Sequence, residues 1–179
     1  MSGTTVSPTL SDVYTALRSF LIGVVPANVP VIKGLPNRSA MPQPEPGFLT
    51  MQALLVSRLR WNVDTWDTAS PTPTTMSAEE GLEVRIQIDC YGASSSSWAA
   101  SISTLLRDDY GVQAMLPNVV PLYADEAKMV PLTDSEQQYE ERWMIDARLQ
   151  WNPVTTFTQT FANVPATIDV IDVNATYPP

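Results

Sequence analysis

From Trp143 to Trp151 the chain alternates. Trp143, Ile145, Ala147, Leu149 and Trp151 are apolar, while Arg142, Asp146, Arg148 and Gln150 between them are polar. Side chains of a strand point to opposite faces in turn, so this spacing predicts a long strand over 139–151 with one buried and one wet face. A slip of one residue would expose both Trp and bury two Arg, so the register is strongly set. Leu82–Tyr91 alternates as cleanly: Leu82, Val84, Ile86, Ile88 and Cys90 form one row, and Glu83, Arg85, Gln87 and Asp89 the other. The 48–61 stretch predicts a third strand. In it Leu54 and Val56 break the alternation, which implies partial burial on both faces, and Arg58 and Arg60 read as a solvated edge.

Two stretches carry a helical period instead. Val13, Leu17, Phe20 and Leu21 fall on one side of a helix that Ser11 or Asp12 can cap and that Gly23 and Pro26 end. Trp98, Ile102, Leu105 and Leu106 recur likewise after a Ser-rich turn, where ordinary N-capping is expected rather than phosphate binding, since no P-loop lysine or G-x-G-x-x-G spacing is present. Gln113 to Leu116 suits a further turn. Short strands are expected at Val31–Lys33 and at Val119 to Tyr123. The fold class is therefore α+β, several strands with two main helices.

The connections refine this picture. Residues 1–9 are small and polar and read as a flexible arm. The 29–47 stretch has five Pro and reads as a rigid spacer with Asn37 and Arg38 as its polar handle. Residues 62–81 hold Pro71, Pro73, many Thr and Ser and no Lys or Arg. Between two strands this composition predicts a long projecting β-hairpin, on which Trp66 in Asp64-Thr65-Trp66-Asp67 is a contact candidate. The segment 154–179 also lacks Lys and Arg and carries two strand-like runs, 155–161 and 168–173. It reads as a C-terminal strand or arm that completes its own sheet or adds a strand to a neighbour.

Composition narrows the chemistry. The 179 residues suit one domain and can bury a sizeable core without staples. There is no histidine and a single cysteine, which removes Ser-His-Asp and Cys-His sites and any intrachain disulfide. Cys90, on an apolar row, is expected to be a buried and inert thiol. The pairs Asp108/Asp109, Asp125/Glu126 and Glu140/Glu141 are adjacent in sequence, a weak catalytic signal, and neighbours on a strand face apart, which argues against a working pair at Glu140 and Glu141. No catalytic residue, cofactor or metal site is expected. A formal charge of −9 disfavours a grip on nucleic acid or an anionic membrane. Met1 to Thr5 shows no secretory pattern, and apolar runs such as 20–25 are too short to span a bilayer.

The order of parts resembles a known family. The matching pieces are Asp89-Cys90-Tyr91-Gly92, Trp98-Ala99, Arg107-Asp108 and Pro121-Leu122-Tyr123-Ala124-Asp125. They continue with Glu136-Gln137-Gln138-Tyr139-Glu140-Glu141-Arg142-Trp143, Gln150-Trp151-Asn152-Pro153 and Val173-Asn174-Ala175-Thr176-Tyr177-Pro178-Pro179. Together they resemble the phage neck and tail terminator proteins, from Val13 onward. The resemblance implies a mixed, mostly antiparallel sheet flanked by two main helices, and a structural virion protein of the neck, present in host cytoplasm during assembly. It implies a homo-oligomer, a hexameric ring that caps the head-proximal end of the tail tube and joins it to the head-side connector. DNA would pass through the lumen only as cargo, the tail sheath is a further candidate partner, and no membrane is involved.

On this reading residues 1–179 form a single tail-terminator-like domain, and Trp66, Asp67 and Tyr177 are the candidate interface contacts. The alternative is a head-completion stopper or a tail tube or adaptor protein. A monomeric binding module and a carboxylate-dependent hydrolase rank below these.

Overall fold

The computed structural model describes residues 4–34, 42, 45–67, 74–133 and 139–159. Its first helix, α1 (Leu10–Val24), begins one turn earlier than Ser11 or Asp12 would set it. Thr9 is the cap residue, and its backbone N and Oγ1 both donate to Asp12 Oδ2 at 2.7 Å. These bonds hold the Asp12 carboxyl below its ordinary range, the backbone bond foremost. Gly23 lies within the helix, which ends with Val25 N donating to Leu21 O. Val13, Leu17, Phe20 and Leu21 are buried, as the 3.6-residue period requires.

The main sheet takes the order β2 (Val31–Lys33), β3 (Phe48–Arg58), β6 (Leu82–Tyr91), β11 (Arg142–Trp151) and β7 (Val119–Ala124). β2 runs parallel to β3 and the remaining pairs are antiparallel. Register aligns the apolar rows across three strands: Leu49–Cys90–Trp143, Met51–Ile88–Ile145, Ala53–Ile86–Ala147 and Val56–Val84–Leu149. The helices cover this face except at its end, where Val56 is exposed. Val13, Leu17, Phe20, Ala99, Ile102 and Met115 join these rows in one core cluster. Each fully buried large side chain contributes roughly 1.5–3 kcal/mol, so this layer dominates stability.

Three helices occur among the described residues. After α2 (Ser95–Leu106) comes α3 (Asp109–Met115), where only a turn near Gln113 is foreseen from sequence. Asp108 caps it by accepting from Tyr110 N at 3.0 Å. Gly111 lets it lie against α2, because a Cβ there would come within 2.6 Å of Leu105 O. At α2 the expected serine capping is absent: the Ser94 side chain makes no cap bond. The backbone closes the turn instead, Ser95 N donating to Gly92 O at 3.0 Å and Gly92 adopting φ 108°.

A second, four-stranded sheet has the order β1 (Thr5–Ser7), β12 (Val154–Gln159), β5 (Thr74–Glu79) and β4 (Val63–Asp67), all antiparallel. β4 follows β3, β5 precedes β6 and β12 follows β11, so this sheet repeats the order of the main one. Residues 5–7, in the stretch read as a flexible arm, thus pair with Thr156, Thr155 and Val154. Residues 1–3, the tip at 68–73 and the run 168–173 lie outside the described residues. The 139–151 stretch is interrupted at Glu141. Tyr139–Glu140 (β10) pairs with Leu132–Thr133 (β9), and Lys128–Met129 (β8) pairs with β11 beside β7.

The break at Leu54 is a β-bulge. Ala53 pairs with Ile86 and Leu55 with Arg85, leaving Leu54 as the extra residue. Leu54, Leu55 and Val56 are accordingly exposed, not partly buried on both faces, and β3 ends at Arg58.

Candidate functional site: polar sheet face and open edges

The face of the main sheet turned away from the helices carries paired charges. Asp89, 5% exposed, accepts from Arg142 Nη2 at 3.0 Å, from Gln87 Nε2 at 2.9 and 3.0 Å, and from Thr50 Oγ1 at 3.4 Å. Arg85 Nη2 donates to Asp146 Oδ2 at 2.6 Å, and Arg148 lies 3.9 Å from Glu83. Although Asp146 Oδ1 is buried without a hydrogen-bond partner among the described residues, Arg142, Arg85 and Arg148 each have a carboxylate partner, so these three pairs sum to no net charge. Asp146 holds Arg85 above its ordinary range by this bond. Phe48 and Tyr91 stack at 4.4 Å beside Asp89, and burial pushes the Tyr91 hydroxyl up.

Cys90 lies on the opposite, covered face, fully buried, and burial pushes its thiol up to about 12. A thiol so placed is protonated at neutral pH and is a poor nucleophile. Among the described residues no cluster of three or more Cys, Asp or Glu is arranged to hold a metal ion. No helix of the described residues is long and apolar enough to cross a membrane.

The other notable feature is the outer edge of β3 and β4. β2 pairs with β3 only at Leu49, Thr50 and Met51, and β4 is the end of its sheet. From residue 54 to 66 this edge exposes Leu54, Leu55, Val56, Leu59, Trp61 and Val63 as well as Trp66. Trp61 is 85% exposed, and it lines a shallow cavity of about 270 Å³ with Arg58, Leu59 and Arg60. Both arginines are exposed, as the sequence implies, and each also meets a carboxylate, Arg58 that of Glu80 and Arg60 that of Glu79.

A family model for the phage neck terminator protein matches residues 11–178. The chain belongs to that family. It is a family of structural virion proteins and not of enzymes, in agreement with the resemblance carried by the chain's motifs. No curated protein matches the chain. Among solved structures, the cryo-EM structure of a PVC sheath/tube terminator from an extracellular contractile injection system, in the extended state, superposes with a TM-score of 0.52 at 12% identity. The match covers 96% of this chain and 66% of that one. At such identity the likeness concerns the fold, and it agrees with the α+β class.

Of the candidate contacts, Trp66 and Asp67 are exposed on β4, opposite Met76 and Thr75. Tyr177 lies outside the described residues. In sequence, Leu54 was read only as a break in the alternation of this neck terminator's strand, and the exposure of Leu55 and Trp61 was not foreseen. Their signal was present: three successive apolar residues in an alternating strand, then a Trp next to Arg60.

Proposed function

We propose that this neck terminator assembles as a ring, a hexamer, on the head-proximal end of the tail tube. The ring ends the tube, presents its other surface to the head-side connector and leaves a lumen for DNA. The observation that carries this reading is the family match over residues 11–178. The fold supports it: among the described residues the sheets have edges without a strand partner on two sides, and head-to-tail contacts between two different surfaces close into a ring when the rotation per subunit permits. The charge of −9 supports passage of DNA as cargo, because an acidic lumen repels the polyanion it conducts. The PVC neighbour's description as a sheath/tube terminator makes tube and sheath proteins the partners to test first.

Light scattering and negative-stain imaging of the purified protein, with and without isolated tail tubes, test the assignment. A single ring, free or formed only on tube ends, is the expected result. Open-ended tubes made by the protein itself would reassign it as a tube protein, and a monomer that never binds tubes or connectors would overturn the joint role.

A further inference from the structure

The ring reading leaves open which surfaces meet, and the cross-strand rows of the main sheet point to an answer. One row runs Leu55–Arg85–Arg148–Tyr123, from one edge of the sheet to the other. Leu55 is 59% exposed at the first end and Tyr123 52% at the second. Next to this row each edge carries a bulge. Leu54 is the extra residue on β3, and Leu122 is the extra residue on β7, since Arg148 pairs with Tyr123 and Leu149 with Pro121. Both bulged leucines are exposed, as is Met129 on β8, further along the second edge. Among the described residues no strand pairs the outer side of β7 or of β3 beyond Met51.

Bulges re-aim side chains and interrupt ladders, so these edges are shaped for side-chain packing rather than for continuous strand addition. Leu54, Leu55 and Val56 are 45–59% exposed and Trp61 is 85% exposed, which leaves apolar area on the order of several hundred Å² at the first edge, shared between the two faces of the strand. That is the scale of the roughly 800 Å² each partner buries in a standard interface. Charge does not oppose a second copy there. Although the chain is acidic, Arg58 and Arg60 are paired with Glu80 and Glu79 at the first edge, and Lys128 lies 3.7 Å from Asp125 at the second.

Resting on the ring reading, we infer that the β3 edge of one copy (Leu54, Leu55, Val56 and Trp61) packs head-to-tail against the β7–β8 edge (Leu122, Tyr123, Met129) of the next copy. Leu55 and Tyr123 terminate the same row, so repetition of one contact sets sheet beside sheet around the ring. A contact between unlike surfaces is what a closed ring requires, whereas a two-fold dimer would join like to like.

Cross-linking tests it in the full-length chain. Leu55→Cys and Tyr123→Cys are made separately, one with a mass tag, then mixed with tail tubes and treated with a short bifunctional maleimide. Buried Cys90 serves as the internal negative control. The expected product is the mixed 55–123 dimer, and the double variant should give a ladder. Dimers linked only 55 to 55, or assembled rings without the 55–123 product, overturn the contact and leave the ring standing. Wild-type protein that never assembles overturns ring and contact together. If a dilute monomer shields the thiol of Leu55→Cys from iodoacetamide as fully as the assembly does, the chain covers its own edge and the contact is excluded. Leu55→Glu should weaken assembly at least tenfold, while Ile22→Glu, on an exposed face of α1, should not. Trp61→Glu serves if Leu55→Glu does not fold.

Discussion

β5 and β6 are one run of chain separated by Glu80 and Gly81, and they pair in the same strand order, yet they live differently. β6 buries Val84, Ile86, Ile88 and Cys90 completely, whereas β5 buries none of its described side chains and β4 beside it is exposed throughout. The difference lies in side-chain size and in cover. The Ile and Val of β6 meet a helical layer, while Thr75, Ser77 and Ala78 of β5 offer little area to bury and are not part of the helix-covered core cluster of described residues. Backbone pairing holds the second sheet, and the hydrophobic effect holds the first. The chain thus places a helix-covered sheet and a sheet with no buried described side chain in series along the same stretches of chain.

Truncation should show this contrast most strongly. Leu149→Ala removes a fully buried side chain from the middle of β11 and should cost about 2–5 kcal/mol in a denaturant melt. Val63→Ala on exposed β4 should change stability by less than about 0.5 kcal/mol. Equal losses would mean that the second sheet has a core of its own.

Ion pairs should divide the same way. Arg142→Met leaves buried Asp89 without its cation and should cost about 2–3 kcal/mol. Arg60→Met breaks an exposed pair with Glu79 and should cost less than about 1 kcal/mol.

Glycines offer a finer test. Gly47 enters β3 at φ 104°, and a Cβ there would meet the Trp98 ring at 2.9 Å, so Gly47→Ala should cost more than about 1 kcal/mol. At the junction between the sheets a Cβ on Gly81 would meet only the flexible Arg60 side chain, and Gly81→Ala should cost less than Gly47→Ala by thermal melts.

The smallest effect is expected at Asp12. Its folded pKa is lowered by the Thr9 bonds, so its contribution is present above the ordinary value of 3.8 and is lost as pH falls through the lower folded value. Asp12→Asn should flatten that part of the acid limb of the stability profile, and an unchanged acid limb would show that the cap bond carries no weight in solution.

Strand alternation over Leu82–Tyr91, the helical rows of α1 and α2 and the exclusion of histidine chemistry were legible in the residues, because local periodicity is a property of neighbours in sequence. The quoted motifs also carried the family, which the match over 11–178 bears out. Other features were not local. The bulges at Leu54 and Leu122 exist only relative to the partners Ile86–Arg85 and Arg148–Leu149. The pairing of residues 5–7 with 154–156 joins distant parts of the chain, and α3 depends on Gly111 fitting against Leu105. The exposed Trp61 looks in sequence like the buried Trp151. What the sequence by itself determined was which side chains share a row. Which rows find a cover, and which end at an open edge, was decided by the helices and by strand order, because burial is a relation between surfaces that only the folded chain brings together.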